Sequence, residues 1–261
     1  MSELLEAFEE YFELVPARTR ELRDESFRLR YEVMSREFEL PGFEFWRYPD
    51  GRESDQYDYR SVHYLLRHRP TAAFAGTVRL ILADPPSPQV GTRHVDRSFP
   101  IEQFAHLFDR KAIDPTAINR DQTAEISRLI ISRLFRRRQG EDEFPFGTDR
   151  EITTVRNGRR RFPHTVLGLI VAVFKASAEN GINYLYAGME PALNRLLRRF
   201  ALQLKPIGPL LEYHGYRQPH FMAVGELLRN TYHMQRDTWD LITHGGVYWP
   251  PPRTPQQGSH S

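Results

Sequence analysis

The run VLGLIVAVF at residues 166–174 carries no polar side chain on any face. The spacing predicts a helix from Thr165 to Glu179, stopped by Asn180-Gly181, and a helix apolar all round is a buried one. It is too short to cross a bilayer, which needs about 20 residues. A chain of 261 residues with 40% hydrophobic content can supply the core that such a helix requires.

Strands are available to cover it. Residues 11–17 alternate as a first strand, and Thr19 caps a helix reaching about Phe38, with Leu22, Leu29 and Val33 on one stripe widened by Phe27, Tyr31 and Met34. An aromatic and acidic loop over 39–60 holds Phe43, Phe45, Trp46 and Tyr48, followed by the turn signal Pro49-Asp50-Gly51. Two strands follow at 61–67 and 73–82, then a Pro-rich loop over 84–97 and a short amphipathic helix over 101–108. Residues 122–132 (QTAEISRLIIS) read as a central strand, β-branched and apolar on both faces toward its end.

After the long helix come a strand at 182–187 and a short helix opened by Glu190-Pro191. Leu193, Leu196, Leu197 and Phe200 face inward on it, and Arg195, Arg198 and Arg199 outward. Strands at 204–213 and 219–225 bracket YHGYRQ, a helix starts at Glu226, and WPPPRTPQQGSHS is expected to be an unpacked arm. There is no internal repeat, so the expectation is one α/β domain over residues 1–244 with a Pro-rich tail over 245–261.

The formal charge of +2 hides segregation, because residues 133–161 hold nine arginines against five acids. A local basic surface points to an acidic partner. The absence of cysteine excludes disulfides, thiolate metal sites and a thiol nucleophile. The ten histidines lack zinc-site spacing, and no G-x-S-x-G elbow is present, so no metal and no serine-hydrolase chemistry is expected. MSELLEAFEEYFELV lacks a basic region followed by an apolar one, which argues against a secretory signal and for the cytoplasm.

Within GRESDQYD (51–58), Asp55 and Asp58 are either turn formers, partners for arginine, or carboxylates that hold a cationic substrate. In EISR, strand alternation sends Glu125 and Arg128 to opposite faces unless a bulge adds a residue between them.

The order of elements resembles the GNAT-type acyltransferase fold, a central mixed twisted sheet flanked by helices. LRYEVM (29–34), GRESDQYD (51–58), GTVRLI (76–81) and EISRL (125–129) resemble, in order and rough spacing, the four signature blocks of acyl-homoserine-lactone synthases. AGMEPALNRLLRRF (187–200) and KPIGPLLEYHGYRQP (205–219) resemble the acyltransferase family associated with bacterial PEP-CTERM/exosortase systems, a relative of those synthases and of N-acyl amino acid synthases. That likeness extends over roughly residues 11–225.

The resemblance implies transfer of a fatty acyl group from a thioester, on acyl-carrier protein or coenzyme A, to the amine of an amino acid or similar small molecule. The acyl thioester is then a co-substrate, with no bound cofactor. Arg30, Asp55, Asp58, Arg79, Glu125 and Arg128 match the charged signature positions of the lactone synthases. Met34 stands where those synthases carry Phe, and their downstream Trp has no clean match, which favours acyl transfer without lactone formation.

An amine must be neutral to attack a thioester, and Glu125 is the candidate base; the competing expectation is an ion pair with Arg128 or Arg79. A bulge beside it would free backbone N–H groups for the thioester oxygen. Asp55 and Asp58 would hold the amine, pair with Arg30 and Arg79, or both. The stretch containing Arg133, Arg136, Arg137 and Arg138 follows the strand that leads to the donor phosphates in GNAT folds, yet RRRQG lacks paired glycines. Those arginines suit an acidic acyl-carrier protein, or are a solvated charge run. In EYHGYR, His214 is a second acid–base group or a structural hydrogen-bonder, with Arg217 a further candidate beside it.

Two other functions compete. A short-chain acetyltransferase using acetyl-CoA would want a narrow pocket and a glycine-rich phosphate loop. A nucleic-acid-binding module would use the arginines but leave the acids at 55, 58 and 125 unexplained.

Overall fold

A computed structural model of the chain describes residues 2–37, 44–86, 96–136, 165–213 and 215–252. Helix α1 (Glu3–Tyr11), capped by Ser2, leads directly into strand β1 (Phe12–Pro16). Thr19 caps α2 (Arg20–Tyr31) by accepting from the Leu22 amide, as expected. The helix then continues over Glu32–Glu37 as a π-helix. The hairpin β2 (Ser61–His68) and β3 (Phe74–Leu82) follows.

The short amphipathic helix expected after it is present as a 3-10 helix, Pro100–Leu107. Strand β4 (Thr123–Ile131) is followed by the one-turn helix α3 (Arg133–Arg136). Helix α4 (Thr165–Glu179) has the predicted bounds, and β5 (Tyr184–Met189) and α5 (Pro191–Arg198) come next.

The continuous strand expected over 204–213 is instead two short ones, β6 (Lys205–Pro206) and β7 (Leu211–Glu212). Pro206 and Pro209 lack amide donors, and Gly208 between them favours a turn, so a ladder cannot run through. Both pair with β8 (Tyr216–Ala223), and α6 (Val224–Met234) and α7 (Arg236–Thr243) follow.

The sheet runs β1-β2-β3-β4-β5-β8-β6, with β7 also on β8. Every pairing is antiparallel except β4 with β5. That parallel ladder stops at Ile126↔Ala187, although β4 continues to Ile131 beside β3 and β5 to Met189 beside β8. The sheet therefore opens in its middle.

Helix α4 is buried against one face, packing with α1 and α7 around Leu66, Leu80, Ala124 and Leu185. A Cβ at Gly168 would lie 2.8 Å from Leu66 Cδ2, so glycine lets α4 come this close to β2. The opposite face carries a smaller cluster of Ile81, Phe99, Ile101, Phe108 and Tyr186. The start of the expected arm is packed: the Trp249 indole donates to the Phe174 carbonyl at 3.1 Å, and Lys175 Nζ lies 4.8 Å from the Tyr248 ring centre. Residues 253–261 lie outside the described residues. Among the described residues no helix is long and apolar enough to cross a membrane.

Candidate active site

The bulge that EISR requires is present. Between Arg79↔Ser127 and Thr77↔Ile130, Val78 on β3 faces both Arg128 and Leu129 on β4. Arg128 adopts φ +50°, a left-handed conformation that costs a non-glycine residue about 1–2 kcal/mol. Glu125 and Arg128 consequently line one cavity.

Arg128 is held by a buried ionic cluster. Its three arginines come from three elements: Arg30 from α2, Arg79 from β3 and Arg128 from β4. The three carboxylates, Glu53, Asp55 and Asp58, come from one loop. Glu53 bridges Arg30 and Arg128, the latter at 2.8 Å. Asp58 bridges Arg30 at 2.8 Å and Arg79 at 2.6 Å, while Asp55 bridges Arg79 at 2.6 Å and Arg128 at 3.1 Å. With the Tyr57 and Asp55 amides added, every carboxylate oxygen of the cluster accepts two hydrogen bonds.

Asp55 and Asp58 thus pair with Arg30 and Arg79 as one expectation had it. The other, a direct grip on a free amine, does not fit, because an amine would have to displace an arginine. Glu53 carries no sign of this role in the sequence, since nothing in GRESDQYD separates it from a solvated glutamate.

The cluster fixes charge states. Burial works against ionised Glu53, yet Arg30 and Arg128 hold its carboxyl down at about 2. Against the same burial, Arg30 and Arg79 hold Asp58 well below the usual carboxylate range. Burial pushes the His63 imidazole down to about 4, although its Nε2 sits 3.6 Å from Asp58 Oδ1.

Glu125 behaves in the opposite way. It is 6% exposed, and Oε2 accepts from the Ile101 amide at 2.9 Å. Among the described residues it forms no ion pair, so the expected partnership with Arg128 or Arg79 is absent. Burial raises its carboxyl to about 7, opposed by the Ile101 N–H and the positive charge of Arg79. A carboxyl there takes up and releases a proton near neutral pH.

The cavity of about 220 Å³ passes through the gap where β4 and β5 part. Its apolar reach is walled by Val173 and Phe174 of α4, Leu193 and Leu197 of α5, and Leu227 of α6. Its polar lining is Glu125, Arg128, Glu190 and Arg217, and Phe104 and Tyr213 also line it. Arg217 pairs with Glu190.

Arg133, at the start of α3, is exposed. The side chain of Arg136, and Arg137, Arg138 and His214 altogether, lie outside the described residues. Among those described, no group of three or more His, Asp or Glu is arranged to hold a metal ion.

Residues 29–143 match the acetyltransferase (GNAT) domain family. Among solved structures the chain is similar to TofI in a ternary complex with an inhibitor and MTA, at 17% identity and TM-score 0.54, over 88% of this chain and 96% of that one. It is similar to BjaI, a CoA-dependent acyl-homoserine lactone synthase, with MTA, at 21% identity and TM-score 0.52, over 94% and 95%. FeeM, an N-acyl amino acid synthase from uncultured soil microbes, matches at 14% identity and TM-score 0.52, over 86% and 97%. Among curated proteins no sequence matches. The fold is the GNAT fold, and the domain is that of an acyltransferase enzyme.

Proposed function

We propose that this acyltransferase is an N-acyltransferase moving a fatty acyl group from a thioester donor to the amine of an amino acid or similar small molecule. The observation that carries the reading is Glu125: a buried carboxyl, raised to about 7, at the opening between β4 and β5 and in the lining of a largely apolar cavity. The cavity suits an alkyl chain, and an acetyl group would leave most of it unfilled.

Glu125 takes a proton from the acceptor's ammonium, directly or through water. The freed nitrogen pair attacks the thioester carbonyl, forming a C–N bond and placing negative charge on the carbonyl oxygen. Backbone N–H groups beyond the last β4–β5 pair are suited to meet that charge. Collapse breaks the C–S bond, Glu125 gives its proton to the departing thiolate, and the new amide nitrogen releases its second proton to water, which leaves Glu125 ionised for the next turnover. The ionic cluster does not touch these atoms; it holds Arg128, and through it the bulge, in place.

Acyl-carrier protein is the proposed donor, supported by the arginines after β4 and the absence of paired glycines there. Such a donor sets the reaction in the cytoplasm. Association with a PEP-CTERM/exosortase system rests on the motifs at 187–200 and 205–219.

The test is mass spectrometry of protein incubated with acyl-carrier proteins and acyl-CoAs of graded chain length, amino acids and S-adenosylmethionine. An N-acyl product lost in Glu125→Gln, formed at a rate that rises with pH through about 7, supports the reading. No product from any donor by folded protein overturns it.

A further inference from the structure

One ion pair of the cavity takes no part in the cluster around Arg30, Arg79 and Arg128. Arg217 lies on β8 and Glu190 directly follows β5, and the register pair Gln218↔Met189 brings the two side by side. Their side chains are 23% and 21% exposed, and both line the cavity that holds Glu125.

The pair is incompletely used. Arg217 Nη1 donates to Glu190 Oε1 and, at 3.4 Å, to the Tyr216 carbonyl. Among the described residues Arg217 Nε and Nη2, and the second oxygen of Glu190, make no hydrogen bond. Stability explains the arrangement poorly, because partly exposed ion pairs contribute little and withdrawing charge from water opposes folding. A guanidinium edge next to a free carboxylate oxygen is, however, the complement of a group carrying an anion and a cation side by side.

We infer that Arg217 and Glu190 form the acceptor-recognition site and read the head of an α-amino acid. Arg217 receives the α-carboxylate on its unused Nε and Nη2, and Glu190 holds the α-ammonium on its second oxygen, within the cavity that Glu125 also lines. The inference rests on the acyl-transfer reading and narrows its acceptor to α-amino acids over simple amines. Hydrogen bonds to a charged partner of this kind correspond to about 10- to 100-fold in binding.

The test uses the full chain and two pools, the proteinogenic amino acids and their decarboxylated amines. Binding is read by saturation-transfer NMR and turnover by mass spectrometry with the same acyl donors. Wild type is expected to prefer amino acids by about 10- to 100-fold in kcat/KM. Arg217→Met is expected to collapse that ratio mainly through KM for the amino acid, and Arg217→Lys to keep part of it. A tie that only joins β5 to β8 would lower both activities in proportion.

The inference is overturned if wild type shows no preference, if the preference survives in Arg217→Met, or if amino acids neither bind nor react. Should amino acids bind wild type and not Arg217→Met while no donor supports turnover, recognition stands and acyl transfer falls. Should only amines be acylated, acyl transfer stands and recognition falls.

Discussion

Burial raises Glu125 from 4.5 to about 7, which makes its two protonation states pull folding and chemistry apart. For an acid displaced upward, the stabilising contribution is whole below the unfolded value and disappears as pH rises through about 7. The ionised form therefore costs the fold roughly 3 kcal/mol at mildly alkaline pH. Glu125→Gln keeps an acceptor for the Ile101 amide without a charge, so it should melt at a higher temperature than wild type near pH 8 and at an equal one near pH 4. Thermal denaturation at the two pH values checks this. His63, displaced downward from 6.5 to about 4, acts with the opposite sign: its stabilisation is whole above 6.5 and is lost as pH falls toward 4. Glu53 follows, losing its contribution from 4.5 down through about 2. In wild type the drifts of Glu125 and His63 offset one another between these limits. The Glu125→Gln background should reveal the loss between pH 6.5 and 4, and adding His63→Phe, which keeps a ring against Phe27, should remove that part and leave the loss below 4.5 due to Glu53, read from urea midpoints measured against pH. Removing one member of the cluster, as in Arg30→Met, strands buried carboxylates and should cost about 3–5 kcal/mol by chemical denaturation.

Strand β4 and its neighbours place the site, and Gly76 on β3 tests that. A Cβ there would lie 2.6 Å from the Ile130 carbonyl oxygen, a backbone atom with little room to give. Gly76→Ala should push β3 off β4 next to the bulge at a cost of about 1–3 kcal/mol. It should also lower turnover by more than the folded fraction accounts for, as calorimetry beside a kinetic assay would show. The same elements show what sequence can carry. Thr19 as a cap, the hairpin strands and the bounds of α4 are legible because side-chain oxygen, alternation and an unbroken apolar run each have one physical reading. The bulge is legible for a subtler reason, since Glu125 and Arg128 cannot share a pocket in a regular strand. The π-helix at Glu32–Glu37 has no such signature, because its shifted bonds leave residue choice unchanged. The break after Pro206 is written in Pro206, Gly208 and Pro209, and alternation masks it. Glu53 is hidden because its burial depends on arginines distant in sequence.

Across the molecule, the cavity joins the two faces of the sheet through the opening between β4 and β5. If the cavity holds the acyl chain as proposed, the buried Leu197 on its wall limits the length it takes. Leu197→Phe should shift products toward shorter acyl groups, with about tenfold lower kcat/KM for the longest donor accepted by wild type, read from the mass distribution of products. The carboxylates of the ionic cluster are made early in the chain and their final arginine much later. Until Arg128 has left the ribosome, Glu53 and Asp55 each lack a bond the finished site supplies. The loop bearing them therefore completes its set of ionic contacts only once β4 lies beside β3, so closure of the site is a late event in folding.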